Sequence, residues 1–217
     1  MTDCLEGDVW KFLDEVGVQL VKTYFDPNSG FSGSEFETLA GGGDALGQRN
    51  VFTADDLVAV TLLEMTVPGE AALALLHRRA PEFNALLSDI PADVELWDAT
   101  DEQVGPESAA ASLWQLLMGF HKMGWVTTSK LLARKRPRLL PVYDTVVRAA
   151  LQPRSDGFWL PLRAELQNGP LVAQIEAVRN EAGLDERVSL LRTLDVAVWM
   201  RNRSASVQKL PFTQCSN

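Results

Sequence analysis

The sequence predicts an all-α fold, and three observations carry that expectation. Apolar residues recur at the three-and-four spacing of amphipathic helices along most of the chain. No segment shows the strict period-two alternation of a half-buried strand. Caps, prolines and glycines fall where helices of ordinary length begin and end.

The elements follow in order. Val9, Trp10, Phe12, Leu13, Val16, Leu20, Val21 and Tyr24 mark a first helix over 8–24, which Asp26-Pro27-Asn28-Ser29-Gly30 ends. The stretch 26–52 is rich in Gly and Ser, with isolated Phe31 and Phe36, and is expected to be a flexible connection. Inside it, Gly42 to Arg49 imitates the spacing of a phosphate loop. Gln48 and Arg49 stand where that loop needs Lys and Ser/Thr, and no apolar strand precedes it, so a nucleotide loop is excluded. Thr53 is the expected N-cap of a largely buried helix from Asp55 to Met65, with acids in its first turn favoured by the helix dipole. Pro68 opens a helix through Arg79, and Pro81 restarts the pattern through Leu87. Residues 88–105 read as an acidic loop anchored by Trp97, and Pro106 begins a helix to about Phe120. A turn is expected over Pro153 to Gly157, then helices at 158–168, 170–182 and 189–201.

Composition narrows the class. The 217 residues are 46% hydrophobic and 23% charged, as in a globular protein. No apolar run approaches the roughly 18–20 residues of a membrane span, and the acidic start lacks a signal-peptide pattern. Cys4 and Cys215, at opposite ends, give neither a disulfide framework nor a metal spacing. The expectation is a cytoplasmic monomer that binds no metal and no membrane. His77 and His121 have no partners at metal spacing and are read as structural.

The net charge of −9 is unevenly spread. Residues 1–121 hold 5 Lys/Arg and 21 Asp/Glu, whereas residues 122–154 hold 8 Lys/Arg and one acid, Asp144. A local basic face is the footprint of a polyanion site, and a solvated helix face is the plainer alternative.

The central stretch Met118–Leu151 holds the candidate chemistry. An apolar helix meets a turn at Gly124, and a second helix follows whose free N-terminal amides suit a phosphate. Thr127 and Thr128 are candidate caps. Lys130, Arg134 and Lys135, with Arg136 and Arg138, extend the positive field for sequence-independent backbone contact. Pro137 ends this helix, and Pro141 leads through Tyr143 to Asp144, which opens a third helix as its N-cap. A carboxylate so fixed among cations can also stabilise a cationic, sugar-like transition state.

Lys122-Met-Gly-Trp-Val-Thr-Thr-Ser-Lys-Leu-Leu followed by Leu140-Pro-Val-Tyr-Asp-Thr-Val-Val resembles the signature of the helix-hairpin-helix (HhH-GPD) DNA glycosylase superfamily, with 17 residues from Thr127 to Asp144. Leu57 to Thr66 is similar to that superfamily's early buried helix, and the two segments cover about a quarter of the chain. The whole chain also resembles an uncharacterised bacterial protein family. The superfamily resemblance implies one two-lobed helical domain over 1–217, with the helix-hairpin-helix at about 107–135. It implies base flipping and cleavage of an N-glycosidic bond, with Asp144 as the catalytic carboxylate. Met123, Gly124, Trp125, Val126, Thr127, Lys130, Arg134 and Lys135 would hold DNA, and Glu64, Met65 and Tyr143 are candidate pocket residues. Val126 stands where lyase-active members carry a Schiff-base lysine, so a monofunctional enzyme that leaves an abasic site is expected. Glu64 and Met65 replace a glutamine pair, and Val60 replaces the glutamate of the adenine-removing branch. Lys122 takes the hairpin's first glycine, and Val146 a family histidine. The cysteine motif of an iron–sulfur cluster is absent, so no cofactor is expected; the resemblance leaves room for a structural monovalent cation at the hairpin. The substrate would be a damaged base or a deliberately modified one, such as a modified cytosine in phage DNA. Competing readings are a non-catalytic DNA-binding module and a protein–protein adaptor whose acidic half meets a basic partner.

Overall fold

The computed structural model describes residues 10–151 and 157–207, with side chains through 203. Cys4, Cys215, Arg154 and most of the expected turn at 153–157 lie outside the described residues. The described chain is all-helical, without a strand.

A π-helical turn at Leu13–Gly17 leads into α1 (Val18–Phe25). Then come α2 (Ala54–Thr61), α3 (Gly69–Leu73) with a π-helical turn at Ala74–Arg78, α4 (Ala80–Asp89), α5 (Asp101–Val104) and α6 (Ala109–Met118). They are followed by α7 (Trp125–Lys135), α8 (Thr145–Leu151), α9 (Trp159–Gln167), α10 (Leu171–Ala182) and α11 (Leu190–Val207). α1, α8 and α10 pack against α11, while α2 and α6 pack against α7 and α4 packs against α6. One continuous apolar core joins the two sets, including Leu13, Val21, Leu75, Phe83, Leu113, Leu131, Ile175 and Leu194. The chain between α7 and α8 passes from one set to the other, and Asp144 sits at the end of that passage.

Caps explain the helix starts. Thr53 and Asp56 form a reciprocal capping box on α2: the Thr53 hydroxyl accepts from the Asp56 amide, and the Asp56 carboxylate accepts from the Thr53 amide. α2 ends at Thr61, short of the expected Met65, because Glu64 turns the backbone into the left-handed region at φ +60°. α6 starts later than Pro106: Ser108 is its N-cap, accepting from the Ala111 amide.

The stretch 26–52 is no free connection. It contains two short 3-10 turns, Ser32–Glu35 and Leu39–Gly41, and its carbonyls are held by cations of α7. Arg134 donates to the carbonyls of Phe36 and Leu39, Lys135 to that of Gln48, and Arg136 to that of Arg49 and to the side chain of Asn50. Glycines let the segment lie this close. A Cβ on Gly43 would stand 2.2 Å from the Arg134 carbonyl oxygen. One on Gly33 would stand 2.1 Å from the Tyr24 hydroxyl.

Candidate functional site

The site is built where the 141–144 segment meets α7, α2 and α11. Ser129, buried on α7, fixes that segment. Its hydroxyl donates to the Pro141 carbonyl and accepts from the Tyr143 amide at 2.7 Å. Asp144 follows as the N-cap of α8, 7% exposed. Its Oδ1 accepts from the Val146 and Val147 amides at 2.9 and 3.0 Å. Its Oδ2 lies 4.0 Å from the Lys130 ammonium. One oxygen is thus committed to the helix, and the other faces the cation.

Lys130 is itself buried, and its Nζ donates to the Leu63 carbonyl at 2.9 Å. That contact brings the end of α2 to the site, with exposed Glu64 beside it and half-buried Met65 next in sequence. Burial draws the lysine pKa below its ordinary value, while the negative charges of Asp144, Asp195 and Glu64 oppose that drop. A non-glycine residue in the left-handed region costs about 1–2 kcal/mol, so Glu64's conformation is held by its surroundings.

The residue before Asp144, Tyr143, belongs to an aromatic group. Tyr143 stacks on Phe158 with centroids 4.0 Å apart and meets Trp125 at 5.2 Å. The guanidinium of exposed Arg148 lies 5.6 Å from the Trp125 ring centre. Trp125 and Tyr143 are only half-buried, so the cluster has an accessible edge. Burial raises the Tyr143 phenol pKa, with Arg148 pulling the other way.

In the stretch expected to form the hairpin, α6 is followed by a turn and by α7, and the two helices pack on each other. Gly124 is the N-cap of α7, and the Thr128 amide is the first to bond back, to the Gly124 carbonyl. The amides of Trp125, Val126 and Thr127 precede that first intrahelical bond, as at any helix start. Thr127 and Thr128 are buried in the first turn and do not cap. Gly124 is exposed and Val126 half-exposed, whereas the Met123 side chain is buried. The turn from Gly119 to Gly124 carries no acidic side chain, and the Phe120 carbonyl already accepts from the Met123 amide. A monovalent cation there would find backbone carbonyls and no carboxylate.

The basic face expected from the sequence is largely internal. Arg134, Lys135 and Arg136 are at most 1% exposed. Asp56 accepts from Arg134 at 3.2 Å and from Lys135 at 3.0 Å, and loop carbonyls take most of their remaining donors. Arg136 also reaches the carbonyls of Ile90 and Leu87. Arg134 and Lys135 are therefore not available to a DNA backbone. The physical reason is that each cation gains fixed acceptors that water would otherwise supply. Of the eight basic residues, Lys122 and Arg148 are exposed, Arg138 is half-buried against Glu95, and Arg154 is outside the described residues.

Sequence reasoning missed a second buried polar group, on α11, the helix against which α8 packs. Arg192 and Asp195 on α11 form an ion pair, each about 5% exposed or less. Arg192 also donates to the Tyr24 hydroxyl at 2.7 Å and to the Gly33 carbonyl at 2.9 Å. Asp195 lies within electrostatic reach of both Asp144 and Lys130. Burial is the main cause that pushes its carboxyl up to about 7, with Asp144 adding to it and Arg192 and Lys130 opposing. The signal was available: Asp195 falls on the apolar stripe of Leu191, Leu194 and Val198. Further along, Glu37 accepts from the amide and hydroxyl of Ser189, at the start of α11. Burial pushes this carboxyl up to about 7 as well. It borders a cavity of about 260 Å³ that Gly42, Arg138 and Arg187 also line; of the basic residues singled out in the sequence, Arg138 alone lines it, and Asp144 does not.

His77 and His121 are exposed. Among the described residues no group of three or more His, Cys, Asp or Glu is placed to hold a metal, and no helix is long and apolar enough to cross a membrane. The chain was also compared with known proteins. Residues 17–202 match the family described as "Family of unknown function (DUF6308)", and the chain belongs to that family. No curated protein and no solved structure matches it.

Proposed function

We propose that this member of the DUF6308 family is a monofunctional DNA glycosylase. It turns a damaged or modified base out of the duplex and hydrolyses its N-glycosidic bond. The observation that carries the reading is the state of Asp144. Its Oδ1 is held by two helix amides and its Oδ2 faces the Lys130 ammonium, while the preceding Tyr143 belongs to a half-exposed aromatic cluster.

As the glycosidic bond breaks, its electron pair leaves with the base, and the sugar takes on positive charge at C1′. Asp144 Oδ2 stabilises that charge, the kind of interaction that counts most in a site with little water. Water then adds to C1′, one proton goes to the base, and an abasic site remains. The half-exposed edges of Trp125 and Tyr143 offer a stacking surface for a base or a wedge against its neighbours. Glu64 and Met65 follow in sequence the Leu63 carbonyl that Lys130 holds, and are the further proposed pocket residues. Val126 offers no amine, which keeps the reaction hydrolytic. A modified cytosine of phage DNA is one substrate that fits this proposal; a damaged base is the other class.

The burial of Arg134 and Lys135 changes the proposed DNA contacts. The backbone would be held by the amides at Gly124, Trp125 and Val126, with Lys122 and Arg148 as the exposed cations nearby. So few charges predict a shallow dependence on salt: about two released counterions, against the five or more of a fully exposed basic helix. The test is mass spectrometry of bases released from damaged, native and phage-modified DNAs, with duplex binding measured between 50 and 200 mM salt.

One observation favours a second reading. With four basic side chains of α7 and its end buried, the outside is dominated by acidic residues, which suits an adaptor for a basic protein partner. No binding to duplex DNA at low salt would select that reading over both the enzyme and a non-catalytic DNA-binding module.

A further inference from the structure

We infer that the cavity of about 260 Å³ beside the start of α11 is a binding site for a small zwitterion, with one ammonium and one carboxylate on a short frame, as in a free amino acid. This site is independent of the glycosylase reading, since neither Asp144 nor the aromatic cluster lines the cavity.

Three stretches of chain meet to form it. The 26–52 stretch brings Glu37, Gly42 and Asp44, the residues after α7 bring Arg138, and the link between α10 and α11 brings Arg187 and Ser189. Glu37 and Ser189 are buried. Glu37 Oε1 accepts from the Ser189 hydroxyl and Oε2 from the Ser189 amide, both at 2.8 Å. Each of these oxygens can accept a further bond. Gly42 keeps the space open. It is buried at φ +99°, and a Cβ on it would stand 2.9 Å from Asp44 Oδ1 and 3.2 Å from the Glu37 carbonyl oxygen.

The wall carries both signs of charge, and the two signs are matched differently. Arg138 Nη1 donates to Glu95 at 2.7 Å, and Arg187 donates to Asp185 through Nε and Nη2. Neither of those acids lines the cavity. Arg138 keeps Nε and Nη2 for another acceptor, and Arg187 keeps Nη1. The acids of the wall are less well matched. Among the described residues, Glu37, Asp44 and the rim residue Glu186 enter no ion pair.

This lining selects the ligand. A simple anion would meet three carboxyl groups, and a simple cation would meet two guanidiniums. An apolar molecule would strip water from charges of both signs and replace none of its hydrogen bonds. A zwitterion answers both signs: its ammonium donates to Glu37 and Asp44, and its carboxylate accepts from the open N–H groups of Arg138, in charge-assisted bonds. Glu37 and Asp44 both lie within electrostatic reach of Arg138, so one short molecule can span the two poles. Burial, with Asp44 adding to it, pushes the Glu37 carboxyl up to about 7, and an arriving ammonium offsets that cost. The volume is below the roughly 300–1,000 Å³ of drug-sized sites, which suits a ligand this small.

The experiment is a calorimetric titration of the full chain with the common free amino acids, their carboxamides and their N-acetyl derivatives. At least one amino acid is expected to bind with a Kd of about 1 mM or tighter. Its carboxamide lacks the carboxylate and its N-acetyl derivative lacks the ammonium, and each is expected to bind at least about tenfold more weakly, on the order of one charge-assisted hydrogen bond. Asp44→Asn and Arg138→Gln change partly exposed side chains, and circular dichroism checks that both variants fold. Each is expected to weaken amino-acid binding by about the same factor, and Arg138→Gln to erase the difference between the amino acid and its carboxamide. No amino acid bound at about 1 mM overturns the site. A carboxamide that binds as tightly as the acid makes it a cation site, an N-acetyl derivative that does so makes it an anion site, and either overturns the zwitterion. Amino-acid binding unchanged in both variants overturns its assignment to this cavity. Base release enters none of these measurements, so the site and the glycosylase reading fail separately.

Discussion

Asp144 divides its work between two oxygens. Oδ1 closes the first turn of α8, and Oδ2 looks toward Lys130. The division predicts different losses for different variants. Asp144→Ala removes the cap and is expected to lower stability by about 1 kcal/mol in urea unfolding, together with any activity. Asp56 does a different double duty, capping α2 and pairing with two buried cations 78 and 79 residues away. Asp56→Ala leaves those cations without a carboxylate in the core and is expected to cost on the order of 3–5 kcal/mol, measured as a shifted urea midpoint. Asp144 was legible in the sequence because its signals are local: a proline before it, an apolar helix after it. Asp56 was legible only as a first-turn acid favoured by the helix dipole. A partner across 78 residues leaves no mark in the local pattern, so the cations of α7 looked like a surface they do not form. Ser129 escaped notice for the same reason, since its hydroxyl acts 12 and 14 residues ahead.

At the level of elements, helical periodicity located most helices because each buries a stripe of its own residues. The hairpin, the cap on α2 and the start of α8 follow directly from such signals. The 26–52 stretch did not, since its order comes from outside: carbonyls gripped by α7 and glycines pressed against neighbouring backbone. Gly43→Ala tests this. Its methyl group would meet the Arg134 carbonyl, so a fall in melting temperature is expected, whereas Gly69→Ala, with nothing within 4 Å, is expected to leave it nearly unchanged. Equal effects of the two substitutions would contradict the packed arrangement. The end of α2 was misjudged because Glu64's positive φ has no glycine to announce it.

For the whole molecule, two buried acids, Glu37 held by Ser189 and Asp195 on α11, set a pH dependence of stability. Glu37 and Asp195 both have folded pKa values of about 7, raised mainly by burial from the ordinary carboxylate range. Groups raised in this way contribute stability that is complete below about pH 4 and is lost as pH rises through about 7. The expected contribution is up to about 4 kcal/mol per group. Glu82, Glu102 and Asp185, whose pKa values are lowered, act in the opposite sense but only below the ordinary carboxylate range. Melting temperatures between pH 5 and 8 should therefore fall for wild type and flatten in Glu37→Gln and Asp195→Asn. The same scale shows why the total charge of −9 was a poor guide: much of the positive charge holds the interior together.

The central claim is that Asp144 is the catalytic carboxylate of a base-releasing enzyme. The most direct measurement incubates wild type and Asp144→Asn, matched for folding by circular dichroism, with duplex DNA carrying a base that the wild type releases, and counts alkali-labile abasic sites. Asn keeps the cap oxygen and removes the charge. The account predicts abasic sites with wild type and at least a hundredfold fewer with Asp144→Asn, an estimate on the order of the loss of one preorganised electrostatic group. Equal numbers from the two proteins would contradict it.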